Sequence, residues 1–272
     1  MNNPTPLRSG DFVTKRKIAV LILLAFGAAG VWFVPEVTAW LERKPDEAWA
    51  RIKQTGVIRF AINPTYMPFD GLGSHGDFFG IDVDIANELA RRLNARAEFV
   101  VAGFDSLYDV LRVGQAEATI SALPIDPAKF GMWRYSEPYF EAGQVLIAKP
   151  VRFTKSSQVS IAVEYGSDAD AAARYLARRR EGITITTTQS TADALKAVAN
   201  DWVDAAIIDG VSARQLLPKY PDLGISEQVT HDPYAIAMWG ESDQLVGEIN
   251  AALAAMEADG TLQRIVDEWM KK

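Results

Sequence analysis

Short apolar runs alternate with amphipathic stretches from about residue 50 to the end of the chain. Runs rich in β-branched residues and bounded by turn residues predict strands, here at residues 56–62, 97–101, 118–123, 144–148, 160–163, 183–187 and 203–208. Stretches with apolar residues three or four apart predict helices, here at residues 81–93, 104–111, 169–179, 191–198, 244–258 and 261–270. This alternation predicts an α/β fold.

The helix predicted at residues 81–93 shows the pattern clearly. Ile81 and Ile85 begin a repeat of apolar residues every four positions, opposite a charged face. Asp82 and Asp84 stand in its first turn, where carboxylates interact favourably with the helix dipole. This position favours helix capping over a metal-binding pair.

Residues 18–34 are 17 consecutive positions without a charged or strongly hydrogen-bonding side chain, ended by Pro35. That length is at the short limit of a membrane-spanning helix, about 17 to 25 residues, and exceeds the apolar core of a signal peptide, about 7 to 15. Residues 1–17 carry a net charge of +3, which predicts a cytoplasmic basic tail and export of everything after Pro35. We expect a transmembrane anchor; the alternatives are a signal cleaved near Ala39 and a buried soluble helix.

Composition narrows the classes of function. The chain has 272 residues, no cysteine and two histidines, His75 and His231. Disulfides, thiolate zinc sites and cysteine nucleophiles are therefore excluded, and little material is left for a histidine metal cluster, so we expect no metal or cofactor. The net charge is −7, and because residues 1–17 hold +3, the rest carries −10. This charge argues against a nucleic-acid partner.

The stretch at residues 118–139 places candidate chemistry directly after a predicted strand. Its apolar run breaks at Pro124 and Pro127, and Asp126 and Lys129 follow the break. Polar groups at a strand end are typical of a ligand site. The stretch resembles the corresponding part of the family 3 extracellular solute-binding proteins, the receptors of polar amino-acid ABC importers. Four further motifs carry the same resemblance, at residues 63–70, 80–86, 104–107 and 259–269.

The resemblance covers about residues 50–270 and implies a two-lobed, type 2 periplasmic-binding-protein-like fold. The transmembrane helix predicted from residues 18–34 would precede it. Two hinge crossings, near Phe140 and Pro233, would join the lobes, and a ligand bound between them would draw them together by hinge motion. The expected limits are residues 35–49 for a linker, 50–140 plus 234–272 for lobe 1, and 141–233 for lobe 2.

A weak internal repeat agrees with two similar lobes. Residues 116–120 and 203–207 each follow a predicted helix and a polar turn. Their far ends carry Ser121 in one half and Asp209 in the other. Two such units facing each other are what a two-lobed clamp requires.

The resemblance also implies a ligand site on the loops after strands. Its candidate residues are Tyr66, Phe104, Ser121, Ala122, Leu123, Asp126, Lys129, Ser167, Asp168 and Asp209. Tyr66 would pack flat against the ligand, and Asp209 aligns with the ammonium-binding aspartate of the family. The alternatives are that Tyr66 only covers the core edge, and that Asp126 caps a turn and pairs with Lys129 in solvent.

Two departures from the family pattern bear on the ligand. Members that bind α-amino acids hold the carboxylate with an arginine where this chain has Lys129, which can neutralise a carboxylate but lacks the planar fork. The second departure lies at the turn before the helix of residues 169–179. The free N–H groups at that helix end would bind a carboxylate, but this chain has Asp168 where the family has a second hydroxyl residue. Asp126, Asp168 and Asp209 would together favour a cationic ligand.

We therefore expect a binding protein, not an enzyme, that captures a small polar amino-acid-like or cationic amine ligand for an ABC permease. The N-terminal helix would hold it at the membrane. Two other classes stay open. One is a sensory or partner-binding ectodomain of the same fold. The other is a dehydratase-like enzyme, for which an acid such as Glu137 or Glu164 would have to be buried with a raised pKa.

Overall fold

The computed structural model describes residues 46–150 and 158–271. The predicted basic tail and membrane anchor, with most of the linker at residues 35–49, lie outside these residues. Within the described part, no helix is both long and apolar enough to cross a membrane.

The helices follow the predicted pattern closely. Among the described residues the α-helices are α1 Glu47–Thr55, α2 Ile81–Arg92, α3 Leu107–Arg112, α4 Asp168–Arg179, α5 Thr191–Ala199, α6 Gly210–Leu216, α7 Asp243–Ala258 and α8 Thr261–Met270. Single 3-10 turns lie at Phe104–Ser106, Pro127–Lys129 and Leu217–Lys219. Gly260 separates α7 from α8 with a φ of 76°, the left-handed conformation that glycine adopts without a steric cost.

The strands fall where the apolar runs predict them, with several short additions. In chain order they are β1 Val57–Ile62, β2 Thr65–Tyr66, β3 Asp70–Leu72, β4 Phe78–Phe79, β5 Arg96–Val101, β6 Ala118–Thr119, β7 Trp133–Tyr135, β8 Phe140–Glu141, β9 Gln144–Ala148, β10 Val159–Glu164, β11 Ile183–Thr188, β12 Ala205–Asp209, β13 Gly224–Gln228, β14 Pro233–Tyr234 and β15 Ala237–Trp239.

Two five-stranded sheets organise the described residues, and both have the same arrangement. The first has the order β5-β1-β6-β15-β7 and the second β11-β10-β12-β9-β13. In each sheet three parallel strands are followed by two that are antiparallel to their neighbours. The strands of the internal repeat, β6 and β12, occupy the same central position in their sheets, which confirms the prediction of two similar units.

The chain passes from the first sheet to the second after β7 and returns before β15. At these crossings β8 pairs with β14, Phe140 opposite Tyr234. The Glu141 carboxylate accepts hydrogen bonds from the Gly143 and Asp232 backbone N–H groups, at 3.0 and 2.7 Å. One side chain thus joins the two crossings. The predicted lobe limits near these residues stay a prediction.

Helices cover both sheets and bury their apolar faces. On one side of the first sheet, Phe60 of β1, Leu89 of α2 and Ile249 of α7 belong to one buried cluster. Leu107 of α3 belongs to a second cluster that also holds Ala61 of β1. The consecutive residues Phe60 and Ala61 are both buried because helices cover opposite faces of β1.

The predicted capping roles of Asp82 and Asp84 are wrong. Gly80 is the residue that precedes α2, and no side chain caps the helix there. Asp82 instead accepts a hydrogen bond from the Ala122 N–H, and Asp84 accepts one from the Trp269 indole N–H, both at 2.6 Å. Both carboxylates therefore accept hydrogen bonds from donors that are distant in sequence.

Two other helix starts also differ from what residue type alone favours. Neither Asp105 nor Ser106 makes a capping hydrogen bond at α3. At α5 the cap is Ser190, whose hydroxyl accepts from the Asp193 N–H at 3.1 Å, and not Thr191. Thr191 donates through its N–H and its hydroxyl to Glu164, at 2.9 and 2.8 Å.

Candidate functional site

Tyr66 presents one face of its ring to the core and leaves the other accessible. It lies on β2 and stacks on Phe69, with ring centroids 5.5 Å apart and planes 10° apart. Phe69 is fully buried and meets the edges of Phe140 and Tyr234 at 4.9 and 5.3 Å. Tyr66 itself is 46% exposed. A planar or cationic group can therefore pack on its free face.

The start of α2 holds the loop that carries Tyr66. Gly80 has a φ of 129°, and a Cβ there would come within 2.1 Å of the Phe69 carbonyl oxygen. The Asp82 N–H donates to that same oxygen at 2.9 Å. Only glycine permits this close approach, which brings Asp70 next to Asp82.

Ser121 and Ala122 form the floor of this region, where the chain leaves β6. The Ser121 hydroxyl donates to the Asp70 carboxylate at 2.7 Å and accepts from the Asn63 N–H at 3.0 Å. Ala122 adopts a φ of 44°, which alanine rarely does, and its N–H donates to Asp82. Two predicted site residues are thus held by two aspartates that are fully buried.

Burial shifts the titration of these groups. It raises the pKa of Asp70 above its usual range, although hydrogen bonds from Ser121 and the Tyr66 N–H oppose the shift. Burial and the neighbouring Asp70 charge raise the pKa of Asp82 well above its usual range. Burial and the Asp82 charge also raise the pKa of Tyr139.

Tyr234 lies within electrostatic reach of Tyr66 and of two acidic groups. Burial raises the pKa of Tyr234, with smaller contributions from Tyr66, Asp232 and Asp209. Asp209 ends β12, and its carboxylate caps α6 by accepting from the Ser212 N–H at 2.8 Å. The structure therefore brings Tyr66 and Asp209 into the electrostatic neighbourhood of one tyrosine.

An open depression adjoins the second sheet. Its volume is about 380 Å³, and it is lined by Gly143, Gln144, Asp168, Ala171, Ala172, Tyr175, Thr230 and Asp232. Partial burial, then the charges of Glu141 and Asp168, raise the pKa of Asp232. Of the predicted site residues only Asp168 lines this depression, beside an acidic residue that the sequence analysis did not single out.

Asp126 and Lys129 face each other. The Asp126 carboxylate caps a 3-10 turn by accepting from the Ala128 N–H at 3.0 Å, and it lies 2.8 Å from the Lys129 ammonium. The hydrogen bond from Lys129 holds the pKa of Asp126 below its usual value. The cap and the ion pair are the two features expected from the alternative in which Asp126 caps a turn and pairs with Lys129 in solvent. The ammonium also lies over the Tyr108 ring, 4.9 Å from its centroid.

The turn before α4 already uses much of its hydrogen-bonding capacity. Ser167 caps α4 through the Asp170 N–H and donates its hydroxyl to the Glu164 carbonyl, at 3.2 and 2.8 Å. The Gly166 N–H donates to the Asp170 carboxylate at 3.1 Å. Asp170 thus occupies an anion position at this helix end, and Asp168 stays exposed in the first turn.

Phe104 and Leu123 differ in how far their side chains are exposed to solvent. Phe104 is 49% exposed on its 3-10 turn, whereas Leu123 is 3% exposed, in a core cluster with Trp133. The Leu123 carbonyl accepts from the Ala235 N–H at 3.0 Å. Leu123 therefore has a packing role here, and its contact with a ligand stays a prediction.

Five residues that organise this region were not predicted as site residues: Asp70, Asp82, Tyr139, Asp232 and Tyr234. Asp70 and Asp82 stand inside motifs that carried the resemblance, so their position was visible while their partners were not. The relevant contacts join residues 40 to 51 positions apart. The local pattern of residues in the sequence does not predict contacts between residues so far apart in the chain.

The two acids named for the dehydratase alternative are not buried. Glu137 is exposed, and Glu164 is partly exposed with its carboxylate bonded to Thr191. Neither side chain is a buried acid. Among the described residues, no group of three or more histidine or acidic side chains is arranged to hold a metal ion.

Comparison with known proteins bears directly on this arrangement. The family model for the bacterial extracellular solute-binding proteins, family 3, matches residues 58–272. The chain belongs to this family. The resemblance drawn from the five motifs is therefore confirmed.

Arginine-binding proteins are among the curated relatives. The ABC transporter arginine-binding protein 1 of Escherichia coli is 28% identical over 78% of this chain and 90% of its own length. The arginine-binding periplasmic protein of Mannheimia haemolytica is 31% identical over 77% of this chain and 89% of its own length. Both relatives are binding proteins by name.

A solved structure shows the same fold. The L-cystine solute receptor of Neisseria gonorrhoeae, in its unliganded open conformation, has a TM-score of 0.69 and 23% identity. The match covers 82% of this chain and 96% of the receptor. The two-lobed α/β periplasmic-binding-protein fold is therefore confirmed.

Proposed function

We propose that this protein is an extracytoplasmic solute-binding protein that captures an amino acid with a cationic side chain and delivers it to an ABC importer. The observation that carries the proposal is the family match over residues 58–272. The names of the relatives favour the cationic class, since three are named for arginine and another for lysine, arginine and ornithine. The protein binds its solute and does not transform it.

The ligand would lie between lobe 1, residues 50–140 plus 234–272, and lobe 2, residues 141–233. Tyr66 would supply a stacking face for the cationic group, a contact worth about 0.5 to 2 kcal/mol. Asp209 would receive an ammonium group, and Asp168 and Asp232 would add negative potential at the entrance. The clustering of acidic groups around Tyr234 supports this orientation.

Lys129 would neutralise the ligand carboxylate. In this structure it is paired with Asp126, and both side chains are solvent-accessible, at 42% and 40%. An exposed pair of this kind contributes little to stability, so exchange of Asp126 for a ligand carboxylate is a small change in energy. Ser121 and the Ala122 backbone would line the floor beneath the ligand, with Phe104, Leu123 and Ser167 at its margins.

The N-terminal segment completes the proposal. Residues 18–34 would remain as a transmembrane anchor, with residues 1–17 in the cytoplasm and the lobes outside it. The length of the apolar run and its basic flank support this assignment. An anchored receptor stays close to the permease that it serves.

A thermal-shift screen of the full-length protein in mild detergent tests the function. L-arginine, L-lysine and L-ornithine should stabilise it, whereas L-glutamate should not. A ligand at about 100 times its dissociation constant adds about 2.7 kcal/mol, which raises the melting temperature by about 5 to 11 °C. Stabilisation by none of the three cationic amino acids would contradict the proposal.

A further inference from the structure

Asp70 and Asp82 form a buried acidic pair under Tyr66. Each residue is 0% exposed, and the two carboxyl groups are brought together because Asp70 binds Ser121 and Asp82 binds the adjacent Ala122. None of the ion pairs among the described residues includes either carboxyl. Two ionised carboxylates in this position would repel each other, without a cation to offset the cost of burial.

The hydrogen bonds leave one oxygen without a donor. Asp70 accepts from the Ser121 hydroxyl and, at 3.3 Å, from the Tyr66 N–H. Asp82 accepts from the Ala122 N–H through Oδ2, but its Oδ1 is buried and makes no hydrogen bond of acceptable geometry. A proton on Oδ1 would turn that oxygen into a donor to Asp70 and satisfy both groups.

We propose that Asp70 and Asp82 hold one proton between them, and that this pair positions Ser121 and Ala122 at the floor of the ligand site. The proton lies on Asp82 Oδ1 and is donated to Asp70. Asp82 Oδ2 holds the Ala122 N–H and so stabilises its uncommon φ of 44°. Asp70 keeps its charge and fixes the Ser121 hydroxyl and the Tyr66 backbone. The positioning role rests on the proposed function, whereas the shared proton does not.

The surroundings of the pair contain few other titratable groups. Tyr139, in the segment before β8, acts on Asp82 besides Asp70: its hydroxyl is buried without a hydrogen bond of acceptable geometry, and as a donor to Asp82 it would lower the pKa of that carboxyl. Tyr66 faces Asp70 through its backbone, and Tyr234 of β14 contacts the intervening Phe69 ring. Asp84, on the same helix as Asp82, is bonded to Trp269. The raised pKa values of Asp70, Asp82 and Tyr139 agree with a retained proton.

The shared proton predicts how stability depends on pH. An aspartate with a folded-state pKa above its unfolded value binds more protons in the folded state, so stability falls as pH rises from about 4 to the folded-state pKa. Asp82→Asn mimics the protonated acid, because its carbonyl can accept from Ala122 while its amide donates to Asp70. The variant should lose this pH dependence.

The first experiment compares the full-length wild type with Asp82→Asn between pH 5 and 8, without ligand. Within the titration of the pair, the melting temperature of the wild type should fall relative to the variant by about 3 to 5 °C per pH unit. Asp84→Asn is the matched control on the same helix and should keep the wild-type slope. Equal slopes for wild type and Asp82→Asn would overturn the shared proton.

Infrared spectroscopy gives a second and direct measurement. At pH 7 the wild type should show the C=O band of a protonated carboxylic acid, which Asp82→Asn should lack completely. Retention of half the band would mean that each aspartate carries its own proton and would overturn the sharing. Absence of the band in the wild type would also overturn the shared proton, even if no variant folds.

Binding of L-arginine separates the two proposals. Asp82→Ala should weaken binding at least about tenfold, and Asp82→Asn should recover most of the loss, because it still holds Ala122 and Asp70. Equal weakening in both variants would overturn the positioning role. If the wild type does not bind L-arginine or the other cationic amino acids, the proposed function fails, while the infrared band and the pH slope still decide the shared proton.

Discussion

The ammonium nitrogen of Lys129 lies 2.8 Å from an oxygen of Asp126, on the same single turn of 3-10 helix. The cation that we assign to the ligand carboxylate is thus already paired within the protein. A ligand carboxylate would have to displace Asp126 or share Lys129 with it. This relationship makes the residue at position 129 the most informative single change for the ligand class.

Lys129→Arg should tighten binding of L-arginine by about 1 kcal/mol, or roughly fivefold, because the planar guanidinium can grip a carboxylate with two hydrogen bonds. Lys129→Met, which keeps the length and removes the charge, should weaken it. Isothermal calorimetry measures both. Unchanged affinity in Lys129→Met would show that this lysine does not meet the ligand.

Asp209→Asn should weaken binding of a cationic amino acid by about 2 to 5 kcal/mol, since the ammonium group is left without its counter-charge. Asparagine is a good helix cap, so α6 keeps its hydrogen bond to Ser212. Asp209→Ala is the contrasting variant and should also lower the free energy of unfolding by about 0.5 to 2 kcal/mol, because the cap is lost. Calorimetry and chemical denaturation separate the two effects.

Tyr66→Ala should weaken binding by about 0.5 to 2 kcal/mol through loss of the stacking face. Tyr66→Phe keeps the ring and its contact with Phe69, so its affinity should stay close to that of the wild type. If the two variants bind equally well, Tyr66 only covers the edge of the core.

The extent of the sequence prediction can be judged from particular elements. The strand predicted at residues 144–148 is observed as Gln144–Ala148, and the helix predicted at 81–93 as Ile81–Arg92. Both have strong local patterns, which are sufficient to determine their limits. The Asp126–Lys129 pair was also foreseeable, because its members are three residues apart.

The rest depended on contacts that no local pattern encodes. The first turn of α2 suggested capping for Asp82, but the Ala122 N–H, 40 residues away, takes its carboxylate. Ser190 and Thr191 are both good caps by type, and Glu164 decides between them by bonding Thr191. Tertiary structure overrode the local preference in each case.

Glu117 provides a test of stability away from the site. Its side chain is 1% exposed and bonded to Arg59 and Arg51. Glu117→Ala should lower the free energy of unfolding by about 1.5 to 3 kcal/mol, because it removes hydrogen bonds to a buried charged carboxylate, including that from the Arg59 backbone N–H, while both guanidinium groups still reach solvent. Glu98→Ala removes the exposed pair with Arg96 and should cost less than about 1 kcal/mol. Similar losses measured by urea denaturation would contradict the distinction.

Substitutions that place charged residues in the apolar run test the proposed anchor. Replacing Leu21, Leu23 and Leu24 with Asp should block membrane targeting, since each charge near the centre of a spanning helix costs about 2.5 to 3.5 kcal/mol. Replacement of the same residues with Ile is the control. Cell fractionation should find the Ile variant in the membrane. Normal export of the Asp variant would refute the anchor.

The central claim, that this chain binds a cationic amino acid through Asp209, is tested most directly by calorimetric titration of L-arginine into the full-length wild type and Asp209→Asn. We predict saturable one-to-one binding in the wild type and a loss of about 2 to 5 kcal/mol of binding free energy in the variant. Equal binding by both proteins, or no heat of binding in the wild type, would contradict the claim.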